Sequence, residues 1–381
     1  MRSVRDLEVA GKRVLVRADL NVPLGEGGTV ADDTRIRAAL PTVELLLERG
    51  ATVILCSHLG RPKGEPKPEL SLRPVADRIS ELLGVDVAFG DEQGQLSLLE
   101  NLRFDSREER NDPAFAAELA ARADLFVQDA FGAVHRAHAS TVGVAALLPA
   151  AAGLLLEAEL NAFRNLLDDP DHPFVVVIGG VKVADKIGVI DRMTQLADSV
   201  LIGGAMAFTF LAADGVDVGA SRHEDEDGQE TARTAMADAR DRGCELLLPR
   251  DVIVADRFAA DAATSVVPVA EIPSGWMGLD IGPQTAELYA GRLSGAHTIF
   301  WNGPMGVFEL EPFAQGTLAV ARAVAESDAV SVVGGGDSVA AVNVAGVADA
   351  ITHVSTGGGA ALELIEGKPL PGVEALEGSP V

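Results

Sequence analysis

Cysteine is nearly absent from the 381 residues, with only Cys56 and Cys244. Two thiols this far apart do not make a disulfide framework and fit a reducing compartment. Lysine is almost as scarce, six residues against 25 arginines. No run of 18 apolar residues occurs, which argues against a membrane-spanning helix. The opening MRSVRDLEVAGKR lacks the apolar stretch of a secretion signal. A soluble, cytoplasmic protein is expected. Acidic residues outnumber basic ones 57 to 31, for a formal charge of −26. Such a field argues against nucleic acid or an anionic membrane as partner. It resembles a halophile's acidic proteome, in which salt screens self-repulsion. GC-rich coding also gives a lysine-poor, arginine-rich balance. Two nucleotide motifs are missing as well. Without G-x-x-x-x-G-K-[ST] the chain is not a P-loop NTPase. Without G-x-G-x-x-G and its strand-end acid, a nicotinamide-dependent dehydrogenase is disfavoured.

What is present centres on Phe174 to Ile190, FVVVIGGVKVADKIGVI. Val175, Val176, Val177 and Ile178 read as a parallel strand buried on both faces. Gly179 and Gly180 then turn where a side chain would obstruct a ligand. A helix is expected next, with Lys182 and Lys186 at i and i+4 on one face. Two like charges repel, and an anion between them relieves the repulsion. Strand, glycine turn and helix recur at Gly203-Gly204, Gly334-Gly335-Gly336 and Gly357-Gly358-Gly359. Glycine turns at helix N-termini expose N–H groups to phosphate oxygens. Asp337 is placed to hold Mg²⁺ carried by a nucleotide. Glu309, after the Asn302-Gly303-Pro304-Met305-Gly306 turn, is placed to accept from ribose hydroxyls. His223 to Glu230 is expected to be a solvated loop.

The first half places basic residues just past apolar strands: Arg35, His58, Arg61, Arg103 and Arg136. Leu98 to Phe104 is read as one such strand, and Val85 to Phe89 as a short one. Asp19 and Asn21 follow the strand from Arg13, either at a ligand edge or as Asx turns. In an acidic protein, guanidinium groups gathered on one edge suggest an anion site. His135 and His138 share a helical spacing, but no third Cys or His lies nearby to complete a metal site. Gly153 to Leu167 has an uninterrupted helical pattern and is the candidate hinge between two halves. The fold class expected is α/β, two doubly wound parallel sheets.

VLVRADLNVPL, SHLGRP, LLENLRF, DAFGAVHRAHAST, GGVKVADKI, FWNGPMGVFE, GGGDS and HVSTGGGAALELIEGKPLPGV follow one another between residues 13 and 373. In content and order they resemble the phosphoglycerate kinase family. The resemblance implies two Rossmann-like domains: 1–152 for 3-phosphoglycerate, a hinge helix 153–167, and 168–366 for nucleotide. The tail 367–381 would pack back on the first domain. It implies reversible phosphoryl transfer between 1,3-bisphosphoglycerate and ADP, with Mg²⁺ carried by the nucleotide and with small molecules as partners of a monomer. Asp19, Leu20, Asn21, Arg35, His58, Leu59, Gly60, Arg61, Arg103 and Arg136 would bind the glycerate. Gly179, Gly180, Lys186, Gly203, Gly204, Asn302, Pro304, Glu309, Gly334, Gly335, Gly336, Asp337 and Ser338 would bind nucleotide. Arg35, Lys182, Lys186 and the turn Gly357-Gly358-Gly359 would neutralise the transferred group. Val181 and Ala205 depart from the small residue and the glycine common there, which puts nucleotide fit in question.

Overall fold

The computed structural model describes residues 1–90 and 94–380. Val381, the end of the expected tail, lies outside the described residues. The chain divides into two compact units, Met1–Asn161 with the segment from Gly367, and Ala162–Glu366.

Among the described residues unit 1 holds six strands: β1 Arg13–Arg17, β2 Thr52–Cys56, β3 Ala88–Phe89, β4 Leu96–Leu98, β5 Leu125–Gln128 and β6 Ala150–Ala152. They form one parallel sheet in the order β3-β4-β2-β1-β5-β6. The order reverses at β1, as a doubly wound sheet requires. Helix α1, Thr34–Glu48, turns Ile36, Val43 and Leu46 inward, and α2, Arg73–Leu83, buries Val75, Ala76 and Ile79. Gly50 has φ +78°, a conformation that suits glycine just past a helix. Asp112 caps α3, Pro113–Ala120, by accepting from the N–H groups of Ala114 and Phe115.

Two expectations in this half are corrected. Leu98 to Phe104 is not one strand: β4 ends at Leu98, and Leu102–Phe104 is a 3₁₀ turn. Asn101 imposes the turn, accepting from Arg103 N (3.1 Å) and donating to Leu59 O (2.8 Å) and Leu70 O (2.9 Å). The strand expected at Val85 to Phe89 is reduced to Ala88–Phe89.

Helix α4, Leu154–Asp168, contains the division between the units. Unit 2 opens with β7, Phe174–Ile178, buried at every residue. β8 Ser199–Ile202, β9 Glu245–Leu247, β13 Thr298–Asn302, β14 Val330–Gly334 and β15 His353–Val354 join it as a parallel sheet, β15-β14-β13-β7-β8-β9. β10 Asp251–Ala255, β11 Thr264–Pro268 and β12 Met277–Ile281 make a separate antiparallel sheet. Its edge strand β11 is largely exposed and carries no strong apolar period. Helices α5 Ile187–Leu196, α6 Met206–Ala213, α7 Glu226–Asp241, α8 Pro283–Ser294, α9 Gln315–Glu326, α10 Gly336–Ala345 and α11 Gly359–Ile365 complete the unit. Trp301 is wholly buried, and its indole donates to Gly303 O at 2.8 Å. A fully buried aromatic or aliphatic side chain of this kind stabilises by about 1.5–3 kcal/mol.

The acidic run from His223 is corrected too: it ends in a helix, not a loop. Asp225 accepts from Gly228 N as the N-cap of α7, and Glu226 and Asp227 complement the helix dipole. The buried stripe is small, Ala232, Ala235 and Ala239, so its hydrophobic period was faint. After residue 366 the chain returns to unit 1, where α12, Pro371–Glu377, packs beside the Ala139–Gly143 turn and Gly372 N donates to Val134 O at 2.8 Å.

Candidate active site

In unit 1 the carboxyl ends of β1, β2, β4 and β5 deliver the polar residues to one edge, where parallel sheets bind ligands. Asp19 is buried just past β1 and pairs with Arg35 in the first turn of α1. The pair offsets the cost of a cation at a helix N-terminus. Asn21 accepts from Gly60 N (2.9 Å), and Gly60 O accepts from Arg103 (2.9 Å). Arg136 donates to His135 Nε2 at 3.0 Å. Arg61 is exposed, and no ion pair to it or to Arg136 is found among the described residues. The side chains of Leu20 and Leu59 are buried in the unit's core.

Sequence reasoning missed the residue at the centre of this edge. Arg17 lies within β1, is 0% exposed, and donates to Ser140 Oγ (2.9 Å), Ala18 O (2.6 Å) and His58 Nδ1 (2.9 Å). The signal was an arginine at the end of a strand buried on both faces. Burial lowers His58 well below its usual value, and Arg17, Arg103 and Arg136 add to this. His138 falls to about 4 for the same reasons, burial first and then Arg103 and Arg17. Burial also lowers Arg103 to about 10, partly offset by Glu109 3.3 Å from its Nε. The edge therefore gathers arginines around neutral histidines. Such a group favours a bound anion on electrostatic grounds. Among the described residues no group of three or more His, Cys, Asp or Glu is suited to a metal.

In unit 2 the ends of β7, β8, β13 and β14 bring the glycine turns together. A Cβ on Gly179 would lie 2.0 Å from Pro304 O, and one on Gly203 2.4 Å from Met305 Sδ. These glycines are required first by turn-against-turn packing. Gly204 has φ +68°, and its N–H donates to Met305 O at 2.9 Å. Ala205 has right-handed helical dihedrals, so its methyl group costs no backbone strain.

The helix expected to carry both lysines is corrected. Residues 180–186 form an irregular turn, and α5 starts only at Ile187. The Glu224 carboxylate accepts from Val183 N at 2.5 Å, and Gly180 O accepts from Met206 N at 3.0 Å, which holds the turn open. Lys182 is exposed on it. Lys186 turns inward and donates to Asn302 Oδ1, and Asn302 Nδ2 donates to Gly334 O at 2.7 Å. Burial lowers Lys186 to about 8, against the pull of Asp337 and Asp185. Ser338 is buried and accepts from Gly303 N at 2.6 Å, so it ties two turns together. Gly335 has φ +92° where a Cβ would lie 2.8 Å from Asn302 Nδ2. Gly357 N donates to Ser355 Oγ at 3.1 Å, and Gly358 has φ +52°.

Beside these turns is a cavity of about 410 Å³, bordered by Val181, Ala205, Phe208, Arg222, Phe258, Glu309 and Asp337, among others. It is lined largely by apolar atoms, with Glu309 and Asp337 as exposed carboxylates at its margin. The volume lies in the range of small-molecule sites. Arg222, Phe208 and Phe258 were not anticipated, since nothing local in the sequence marks them.

The family model described as phosphoglycerate kinase matches residues 4–368. The chain belongs to the phosphoglycerate kinase family. A phosphoglycerate kinase of Rubrobacter xylanophilus is 60% identical, with 98% of each chain covered. One from Chloroflexus aurantiacus is 56% identical over 99% of this chain and 98% of its own. Among solved structures, the Coxiella burnetii phosphoglycerate kinase superposes with a TM-score of 0.90 at 42% identity, with 98% of both chains covered. That of Pyrococcus horikoshii gives 0.84 at 33%, covering 99% of this chain and 98% of the other. Membership makes the protein a kinase, a phosphotransferase of glycolysis with small-molecule substrates. Among the described residues no helix is long and apolar enough to cross a membrane.

Proposed function

We propose that unit 1 binds 3-phosphoglycerate at the Asp19-to-Arg136 edge and that unit 2 binds ATP or ADP in the cavity beside the glycine turns. The protein then moves a phosphoryl group reversibly between 1,3-bisphosphoglycerate and ADP in the cytoplasm. The observation that carries this reading is the cluster of Arg17, Arg103, Arg136 and neutral His58 in a protein of net charge −26. An anion site in such a background is a built feature.

The acceptor is a carboxylate, already ionised at neutral pH, so no general base is needed. Catalysis reduces to in-line positioning and neutralisation of charge on the transferred group. Arg35, Lys182, Lys186 and the amides of Gly357, Gly358 and Gly359 are assigned that work. Glu309 receives the ribose hydroxyls, and Gly334, Gly335, Gly336 and Asp337 lie at the phosphates. Asp337 is exposed at the start of α10 and, among the described residues, belongs to no group of three or more His, Cys, Asp or Glu suited to a metal, which fits Mg²⁺ that arrives on the nucleotide and keeps most of its water. When bound, Mg²⁺ neutralises phosphate charge; the lysines and turn amides hold the phosphates in place. In-line transfer requires the two ligands to meet, so α4 is assigned the role of hinge. Scattering that shows no compaction with both ligands present would reject that role.

The test is ATP consumption with 3-phosphoglycerate and Mg²⁺, coupled to reduction of the acyl phosphate formed. Turnover dependent on both substrates supports the reading. A folded protein without turnover overturns it.

A further inference from the structure

Behind the arginine edge lies one buried anion to which the reading above gives no role. Glu108 is 1% exposed. Its Oε1 accepts from the Ser140 hydroxyl (2.5 Å), and its Oε2 accepts from Ser140 N (3.1 Å). Ser140 Oγ in turn accepts from Arg17 Nε, and Arg17 Nη2 meets His58 Nδ1 at 2.9 Å. A guanidinium can only donate, so His58 Nδ1 accepts and the single ring proton sits on Nε2. His138 Nδ1 is 3.8 Å from Glu108 Oε1, but that ring is neutral and forms no ion pair. Burial raises Glu108, while Arg17 and the Ser140 bonds hold it down.

We infer that Glu108 is a positioning residue of the glycerate site: through Ser140 it fixes the Arg17 guanidinium and thereby holds His58 as an Nε2–H donor. The chain is directional. The serine hydroxyl has one proton, given to Glu108, so its lone pairs are left for Arg17. Without the carboxylate that proton is free to turn, and Arg17 Nε loses its fixed acceptor, which leaves Ala18 O and His58 Nδ1 to hold the group. His58 would then sample both tautomers. Glu108 also supplies buried counter-charge to Arg17 and, together with Glu109, to Arg103.

The inference rests on the glycerate reading, so Arg136→Ala is measured beside Glu108→Gln and Ser140→Ala. For Glu108→Gln the KM for 3-phosphoglycerate is expected to rise about tenfold, as for loss of one charge-assisted hydrogen bond, with the KM for ATP within about twofold. Long-range ¹H–¹⁵N spectra of His58 should show an unprotonated Nδ1 in the parent protein and tautomer mixing in the variant. A purely structural Glu108 would lower the melting temperature and leave both readouts alone. An unchanged KM and an unchanged His58 signal in folded Glu108→Gln overturn the inference. Should that variant not fold, Ser140→Ala decides on the same two readouts. If Arg136→Ala also leaves the KM unchanged, the glycerate reading has failed; if only Arg136→Ala raises it, the fault lies with the inference alone.

Discussion

Burial brings Lys186 to about 8, within reach of ordinary assay buffers. An ammonium is charged below its pKa and neutral above it. On the proposal that Lys186 faces the nucleotide phosphates, kcat/KM for ATP should therefore fall as pH rises past 8. The loss should reach about tenfold between pH 7 and pH 9, since this parameter reports the free enzyme. Lys186→Arg keeps its charge and should lack the falling limb; a limb that persists there assigns it to another group. Lys186→Ala should lower turnover by on the order of 10²–10³, the usual cost of one preorganised electrostatic group. Near-normal turnover in a folded variant would reject the role. At this scale the charged candidates could be picked out of the sequence, because Arg35 lies in the first turn of α1, His58 and Arg103 lie on the segments after β2 and β4, and Lys186 lies on the turn after Gly179 and Gly180. Arg17 and Glu108 could not, since their partner Ser140 lies 123 and 32 residues away, which no local pattern encodes.

Helix α4 begins under an unusual cap. Asp129, at the end of β5, accepts from the N–H groups of Leu155 (2.9 Å) and Leu156 (3.2 Å), and its other oxygen is buried without a hydrogen-bond partner. Gly153 makes room, since a Cβ there would lie 2.2 Å from Asp129 Oδ1. Burial raises Asp129 from 3.8 to about 7. The folded state thus holds a proton that the unfolded chain releases near 3.8, so this contribution to stability is complete below 3.8 and is lost as pH rises to 7. The Asp129→Asn variant keeps one acceptor for the helix and carries no titrating proton. It should be more stable than the parent at pH 8, on the order of 1–2 kcal/mol, with the gain gone near pH 4. Thermal melts of both proteins across that range check it, and a difference independent of pH would exclude Asp129 as its source. Gly153→Ala should destabilise at every pH by disturbing the cap, about 1–3 kcal/mol. Elements such as α4 and β7 were legible from period and run length. The helix from Glu226 was obscured by its alanine stripe, and the turn at 180–186 by a helical lysine spacing that Glu224 overrides through Val183 N.

The repeated order of strand, glycine turn and helix made two parallel sheets legible, because a glycine turn at each strand end is what a doubly wound edge requires. Where α4 gives way to unit 2 was less so: an uninterrupted helical pattern carries no mark of where one core stops and the next begins. The surface poses a different problem. Surface arginines are widely paired with acids, as in Arg78 with Asp33 and Glu81 and Arg107 with Asp105 and Glu118. The excess of 57 acidic over 31 basic residues leaves more carboxylates than basic groups to pair with them. Their repulsion acts over about 10 Å at 0.1 M salt and about 3 Å at 1 M. If the composition is a salt adaptation, the melting temperature should climb steadily in KCl from about 0.1 M to about 2 M, well past the point at which isolated ion pairs are screened. Sodium perchlorate at matched ionic strength separates screening from surface exclusion, since it screens without favouring burial. A rise in both salts points to relief of self-repulsion. A rise in neither leaves the arginine-rich composition as a consequence of coding and removes high salt from the account of how this kinase works.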